Sequence, residues 1–149
     1  MNSINVKIKL VREGVTLPEY ATDGSAAIDL RCAADTDVTI MPGERKLIPT
    51  GIAIAPETSG VVAILAARSG LSIKHGITAT NGIGVIDSDY RGEISVSLIN
   101  VSDSPYTVVR GERMAQLMFM PVMHANFILA DELDETERGT GGFGSTGKV

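Results

Sequence analysis

The sequence predicts an all-β domain of short antiparallel strands, either a sandwich or a barrel. Three observations support this: apolar residues alternate with polar ones at a period of two, Pro, Gly and Asp turn signals separate the apolar runs, and no window shows a sustained 3.6-residue stripe. With 149 residues, of which 44% are hydrophobic, the chain is long enough to bury a substantial core in one domain.

The alternation is clearest in residues 4–10 and 94–98, where Asn, Lys or Ser separates successive apolar residues. These segments are predicted to be half-buried strands. Residues 69–76 are predicted to form at most one short helical turn. Further strands are predicted for residues 37–40, 45–48, 51–55, 60–65, 106–109, 115–120 and 125–129, with turns such as MPGE, APETSG and SDSP between them.

Composition limits the possible partners and location. The net charge of −5 argues against a nucleic acid polymer as ligand, because polymer phosphates are held by massed Lys and Arg. Cys32 is the single cysteine, so no intrachain disulfide can form, and the first ten residues lack the apolar core of a signal peptide. The longest apolar run, residues 61–67, is too short to span a bilayer. We therefore expect a soluble cytoplasmic protein with no membrane partner.

The chain is predicted to divide into a β domain, residues 1–130, and an acidic connector with a mobile Gly-rich arm, residues 131–149. Glycines let backbone amides approach a ligand closely, and the arm adds Arg138, Ser145 and Thr146 as donors, so it is typical of a phosphate clamp. The alternative is a disordered Gly/Ser tail. Phe143 argues against that alternative, because flexible spacers rarely carry a large ring.

Two internal segments carry charge beside apolar strands. Asp29 lies between Ile28 and Leu30, where a buried carboxylate must be ion-paired, hydrogen-bonded or near a metal; the alternative is an Asp on the exposed face of a strand. In residues 67–72, Arg68 and Ser69 precede a glycine directly after an apolar strand. This turn could present a guanidinium, a hydroxyl and backbone amides to a phosphate, although Arg-Ser-Gly is also an ordinary turn.

Residues 81–93 (NGIGVIDSDYRGE) form the richest segment. We predict a tight hairpin in which Asn81 and backbone amides suit a base edge, Asp87 serves as a general base, and Tyr90 offers a flat floor for a sugar. The alternative is a structural hairpin with an exposed salt-bridge cluster. Further along, Gln116 interrupts an apolar strand; taken alone, it favours a structural role in satisfying a backbone group.

Together these five segments resemble, in order and nearly in spacing, the five motifs of the all-β deoxyuridine triphosphate nucleotidohydrolases (dUTPases). They read AAIDL, ARSGLS, GVIDSDYRGE, GERMAQL and RGTGGFGSTG. The resemblance implies a jelly-roll-like β-sandwich with a flexible Gly-rich C-terminal tail, assembled as a homotrimer with active sites shared between subunits. It also implies hydrolysis of dUTP at the α-phosphate to dUMP and pyrophosphate, which limits uracil incorporation into DNA and supplies dUMP for thymidylate synthesis.

The resemblance also implies roles for residues at matching positions. Asp87 activates the attacking water, and Mg²⁺ is held mainly by the substrate phosphates, with Asp29 acting on it through water. The chain departs from the family pattern at Ile28 and Ala66. The substrate-binding residues implied are Arg68, Ser69, Gly70, Asn81, Gly84, Val85, Ile86, Tyr90, Gln116, Arg138, Phe143, Gly144, Ser145 and Thr146.

Two other functions remain as alternatives. A deoxycytidine triphosphate deaminase of the same fold acts on the base, but the register of Asp87 and Tyr90 disfavours it. A non-catalytic nucleotide-binding trimer is expected to have lost Asp87 or the tail. The scattered His75 and His124, with the lone Cys32, supply no zinc set, so both histidines are predicted to be structural or exposed.

Overall fold

The structure of the protein, a computed structural model, describes residues 3–142. Within this range it contains eleven strands and one short helix, α1 (Ser69–His75), so the predicted all-β class and the single helical turn are both found. The strands are β1 (Val6–Leu10), β2 (Ile28–Arg31), β3 (Val38–Ile40), β4 (Arg45–Pro49), β5 (Ile52–Pro56), β6 (Val61–Ala67), β7 (Ile77–Ala79), β8 (Ile83–Ile86), β9 (Ser95–Asn100), β10 (Tyr106–Val108) and β11 (Arg113–Pro121).

The strands pair into four antiparallel sheets that enclose one core. The largest sheet has the order β2-β11-β6-β8, and the next has the order β4-β9-β7. The pairs β1-β5 and β3-β10 complete the described part of the fold. Alternate residues of β9 point inwards, as the period of two predicts. The largest fully buried apolar side chains are those of Leu30, Ile40, Ile48, Ile77, Ile94, Leu98, Met114 and Leu117.

The predicted strand at residues 125–129 was wrong. After β11 ends at Pro121, residues 122–130 have no regular secondary structure, and the side chains of Phe127, Ile128 and Leu129 are 88–98% exposed. An apolar run forms a strand only when a neighbouring strand accepts its backbone hydrogen bonds and its side chains. This run pairs with no strand among residues 3–142.

The hairpin predicted for residues 81–93 was also wrong. β8 pairs with β6, with Ile86 opposite Ala63 and Ile83 opposite Ala66, whereas β9 pairs with β4 and β7. The chain therefore passes from one sheet to another between β8 and β9. Local sequence signals identify strands and turns but do not fix which distant strand supplies the pairing. As a result, β8 is an edge strand in the described part of the chain.

Gly76 ends α1 in the left-handed conformation, with φ 66°, and its N–H donates to the Ser72 carbonyl. A Cβ at this position would lie 2.9 Å from the backbone nitrogen of Ser102, so the close approach also demands glycine. The end of the helix therefore packs closely against the loop that follows β9. This fixes the segment that follows Arg68.

Candidate active site

A row of residues crosses three strands of the largest sheet. On β11, Gln116 lies opposite Asp29 of β2 on one side and opposite Ala66 of β6 on the other. Residues directly opposite each other in antiparallel strands project from the same face. Arg68 follows the end of β6, so Asp29, Arg68 and Gln116 lie in one region. Ser69 and Gly70 are exposed at the start of α1 beside them.

Asp29 is ion-paired to two arginines. Its Oδ1 lies 2.9 Å from Nε of Arg68, and its Oδ2 accepts a hydrogen bond of 3.1 Å from Nη1 of Arg113. The contact between Asp29 Oδ1 and Arg68 Nε is short enough for an ion pair, but its angle does not fit a hydrogen bond. Both atoms are therefore buried without a hydrogen-bond partner in the described structure. The Asp29 side chain is only 18% exposed. The alternative of a free surface carboxylate is therefore excluded, and the expected pairing is present.

Sequence reasoning missed Arg113 as a member of this group. Strict alternation places Arg113 and Gln116 on opposite faces of β11, because they are three residues apart. The pairing of β11 with β2 shifts register between Arg113 and Ala115, and the guanidinium reaches Asp29. The Arg113 carbonyl also accepts a hydrogen bond of 3.0 Å from Nη1 of Arg68. The motif GERMAQL contains Arg113, but the sequence does not show the bulge that brings its guanidinium to Asp29. We call Asp29, Arg68, Arg113 and Gln116 the phosphate cluster, after the role that the resemblance implies for Arg68 and Gln116.

The phosphate cluster fits a divalent cation only when water or phosphate groups lie between the cation and the side chains. Mg²⁺ prefers oxygen ligands and usually takes one or two carboxylates plus substrate phosphates and water. In the described residues, no group of three or more His, Cys, Asp or Glu side chains could hold a metal. Both oxygens of Asp29 already face guanidinium groups. The donor set therefore suits a cation carried by phosphates and touched by Asp29 through water.

A separate cavity of about 470 Å³ opens beside β8. It gathers the sequence-predicted residues of segment 81–93 at one place, together with parts of β4 and β9. We call it the nucleoside cavity. Its lining comprises Asn81, Gly84, Val85, Ile86, Asp87 and Tyr90, and also Leu47, Leu65, Glu93, Ile94, Ser95 and Ser97.

The edge position of β8 exposes backbone groups to the nucleoside cavity. An edge strand presents unpaired N–H and C=O groups that suit a planar partner with its own donors and acceptors. Gly82, with φ 71°, turns the chain into β8, and the exposed Asp87 follows its end. The N–H of Tyr90 donates to the Asp87 carbonyl at 3.1 Å, so a tight turn connects Asp87 to Tyr90.

Tyr90 folds back over the residues that follow it. Its hydroxyl donates a hydrogen bond of 3.2 Å to the Glu93 carbonyl, and its ring is 47% exposed. Glu93 itself is held by Arg12, with Nε to Oε1 at 2.6 Å and Nη2 to Oε2 at 3.0 Å, and by the N–H of Gly51 at 2.8 Å. The hydrogen bond from Arg12 lowers the pKa of the Glu93 carboxyl. Sequence reasoning missed this anchor because the two partners are 81 positions apart.

The phosphate cluster and Asp87 lie at opposite ends of the β6-β8 ladder. Ile86 is opposite Ala63, so Asp87 lies near the start of β6, whereas Arg68 follows its end. A strand rises about 3.3 Å per residue, which places about 15–20 Å between the two positions along the ladder. In a nucleotide the α-phosphate is attached directly to the sugar. Within one chain, the backbones of Arg68 and Asp87 are therefore well separated along this ladder.

The C-terminal arm is described only as far as Gly142. Arg138 is exposed, and its Nε donates to the Gly141 carbonyl at 3.1 Å. Phe143, Gly144, Ser145 and Thr146 lie outside the described residues. Of the histidines, His75 packs against Tyr106 with ring centroids 4.7 Å apart, and His124 is exposed. The helix in residues 3–142 does not have the length and apolar character needed to cross a membrane.

Comparisons with known proteins agree with this geometry. A sequence model described as dUTPase matches residues 13–147. A deoxyuridine 5′-triphosphate nucleotidohydrolase of Desulfitobacterium hafniense (strain DSM 10664 / DCB-2) is 54% identical over 149 residues, covering 99% of each chain. One of Shewanella denitrificans is 53% identical over 146 residues, covering 97% of this chain and 96% of its own. The structure of Staphylococcus bacteriophage 80alpha dUTPase with dUPNHPP is 26% identical, with a TM-score of 0.87 and coverage of 96% of this chain and 98% of that one. The likeness confirms the predicted jelly-roll-like sandwich.

Proposed function

We propose that this chain, which belongs to the dUTPase family, is a dUTP diphosphatase. The reaction converts dUTP and water to dUMP and pyrophosphate. The observation that carries the proposal is the nucleoside cavity, in which Asn81, Asp87 and Tyr90 meet the open edge of β8. A carboxamide and free backbone groups suit the edge of uracil, and a ring beside them suits a deoxyribose.

The reaction needs a base, alignment and charge neutralisation. Asp87 accepts a proton from the water whose oxygen attacks the α-phosphorus, while the bond to the bridging oxygen breaks and pyrophosphate leaves. Asp87 is exposed at the end of β8, where a bound water can reach it. The phosphates are bound by Arg68, Ser69, Gly70 and Gln116. These contacts orient the α-phosphorus for in-line attack by the water. Mg²⁺, when bound by the phosphates, would supply further charge neutralisation there, and Asp29 would act on it through water.

We further propose a homotrimer in which each active site uses more than one chain. The backbone separation of about 15–20 Å between Arg68 and Asp87 along the ladder supports this, because it is large for two residues that act on the sugar and the phosphates of one nucleotide. The exposed apolar segment at residues 122–130 supports it as well. Large contiguous apolar surfaces are usually covered by another protein.

The C-terminal arm completes the proposal. Arg138, Ser145 and Thr146 grip the terminal phosphate and Phe143 stacks on the base, while Gly144 lets the backbone approach closely. The arm acts as a lid over a neighbouring subunit's site and orders when the nucleotide binds. The cytoplasm is the proposed location, where the buried thiol of Cys32 stays reduced.

Product analysis tests the activity. The protein is incubated with dUTP, dCTP or dTTP and Mg²⁺, and the products are separated by chromatography. We expect dUMP and pyrophosphate from dUTP only. Deamination of dCTP would instead support the deaminase alternative, and unchanged nucleotides throughout would support a non-catalytic binder.

Asp87→Asn tests the role of the base. Loss of a general base typically lowers the rate about 10²- to 10⁴-fold, so we expect that loss in kcat with retained binding of a non-hydrolysable dUTP analogue. Asp89→Asn is the matched control, because Asp89 is exposed in the same turn and outside the cavity lining. A wild-type rate in Asp87→Asn would remove Asp87 from the mechanism.

A further inference from the structure

We propose that Gly92 is a specificity-determining residue: its missing side chain creates the seat in which the Tyr90 ring lies at the edge of the nucleoside cavity. The proposal rests on the function proposed above, because it assigns this seat to discrimination between deoxyribose and ribose. Gly92 itself does not line the cavity, so its effect is transmitted through Tyr90.

The backbone does not explain why position 92 is a glycine. Several glycines of this chain have positive φ, among them Gly76 at 66° and Gly82 at 71°, and there a side chain would strain the backbone. The φ of Gly92 lies outside that left-handed region. An alanine at position 92 is therefore compatible with the local backbone conformation.

The Tyr90 ring does explain the glycine. A Cβ built on Gly92 would lie 2.3 Å from the Tyr90 hydroxyl oxygen, 2.5 Å from Cζ and 3.0 Å from Cε2. Contacts this short do not occur in folded proteins, so either the ring or the backbone must move. The ring currently lies across the position that a side chain would fill. Its hydroxyl bond to the Glu93 carbonyl holds it there.

The backbone beside Gly92 is tied down on its C-terminal side. The Glu93 carboxylate accepts hydrogen bonds from Arg12 and from the N–H of Gly51. The N–H of Ile94 donates to the Ile52 carbonyl at 2.8 Å, and the Ile94 carbonyl accepts from Thr50. Ile94 is fully packed in the core. The strand cannot retreat without breaking several of these bonds, whereas the ring can rotate about two side-chain torsions. The ring is therefore what moves.

Displacement of the ring changes the cavity and not the fold. Tyr90, Asp87 and Glu93 line the same cavity, so a rotated ring loses its bond to Glu93 and no longer offers the same surface to a sugar. An added ribose hydroxyl is rejected only when the surface beneath it is fixed. Because Tyr90 is half exposed, its rotation costs little packing. Gly92→Ala is therefore expected to fold.

The test compares kcat/KM for dUTP and UTP in wild type, Gly92→Ala and Gly24→Ala. Gly24 is the matched control, because its φ is also outside the left-handed region and a Cβ there meets nothing within 4 Å. We expect the dUTP/UTP ratio to fall about tenfold or more in Gly92→Ala and to stay unchanged in Gly24→Ala. In a Tyr90→Ala background, Gly92→Ala should cause no further fall in the ratio.

A crystal structure of Gly92→Ala gives a readout independent of activity. We expect the Tyr90 ring to have left its position over residue 92, with the Glu93 anchor intact. An unmoved ring, or an unchanged dUTP/UTP ratio with correct folding, would overturn the proposal. Failure of the proposed function would look different: wild type itself would not hydrolyse dUTP, while the ring displacement in the variant would still test the seat.

Discussion

The sheets from β2 to β11 and the C-terminal segment that follows them, residues 122–142, differ in how they expose apolar residues. In the sheets, Leu30, Leu98 and Leu117 are at most 1% exposed. In the C-terminal segment, Met123, Phe127 and Leu129 are 97–98% exposed. The hydrophobic effect is strong enough that such exposure in a folded protein normally marks a surface used for contact. The sheets therefore bury their apolar side chains within one chain, whereas the C-terminal segment is a candidate contact surface.

Polar groups show the same contrast. Asn100 is fully buried, and its amide donates to the carbonyls of Ile40 and Ser104 while its oxygen accepts from the N–H and hydroxyl of Ser102. Asn126 in the C-terminal segment is exposed. Four hydrogen bonds specify one position for Asn100, because an unmet polar group in the core costs free energy. The five experiments below separate the contributions of the two regions, in order of decreasing expected effect.

Removal of the arm after Glu137 should leave the sheets folded and abolish most of the activity. We expect a fall of about 10²-fold or more in kcat/KM, because the truncation removes Arg138 and the proposed lid that aligns the phosphates. Circular dichroism checks the fold, and dUTP turnover checks the activity. Near-normal turnover by the truncated chain would show that the arm is dispensable.

Co-expression of this truncation with Asp87→Asn tests sharing between chains. If Asp87 and the arm of one site come from different subunits, random mixing in equal amounts leaves about a quarter of the sites complete. Purified mixed assemblies should then regain activity above either parent. No rescue in verified mixed assemblies would mean that sites are not shared.

The double substitution Phe127→Ser with Leu129→Ser should weaken assembly without disturbing the core of the subunit. Burial of each large apolar side chain contributes about 1.5–3 kcal/mol, so the dissociation constant of the oligomer should rise about 10²-fold or more. Analytical ultracentrifugation over a range of concentrations measures this. Glu132→Gln in the same C-terminal segment is the control, and equal association of all three proteins would contradict a role for the apolar residues.

Asn100→Ala should destabilise the sheets, whereas Asn126→Ala should have almost no effect. The first substitution leaves the groups around Asn100 without their partners, and we expect a loss of about 3 kcal/mol in the free energy of unfolding. The second should stay within about 0.5 kcal/mol of wild type. Denaturant unfolding at one fixed protein concentration compares the pair. Similar losses in both variants would erase the contrast between the two regions.

The Glu93 anchor makes a smaller, pH-dependent contribution. Because Arg12 lowers the pKa of the folded Glu93 carboxyl below its usual 4.5, this carboxylate stabilises the fold above that value, and its contribution is lost as the pH falls through the lowered pKa. Glu93→Gln should cost about 1–3 kcal/mol near neutral pH, and the difference from wild type should shrink in acid. Glu132→Gln is again the control. A difference that grows on acidification would reverse the assigned sign.

The sequence predicted those elements well whose formation depends on residues close together in the chain. The alternation in β1 and β9 follows from the two-residue period of a strand, and Asp29 required pairing because it lies between apolar neighbours. The strand predicted at residues 125–129 failed because an apolar pattern needs a partner strand, and residues 3–142 do not supply one. The hairpin at residues 81–93 failed because β8 finds its partner in β6, a pairing that no short window encodes. Arg113 and the Arg12–Glu93 pair were missed for the same reason.

The Asp29 carboxylate, which lies between Arg68 and Arg113, affects these two side chains even when no ligand is bound. Two guanidinium groups held side by side repel, and Asp29 removes that repulsion from within the chain. The phosphate cluster therefore carries its own counter-ion and does not depend on a bound anion to keep its shape. If a triphosphate binds at this cluster as proposed, it meets arginines that Asp29 already holds, so part of their rotational freedom is lost during folding and not at each binding event.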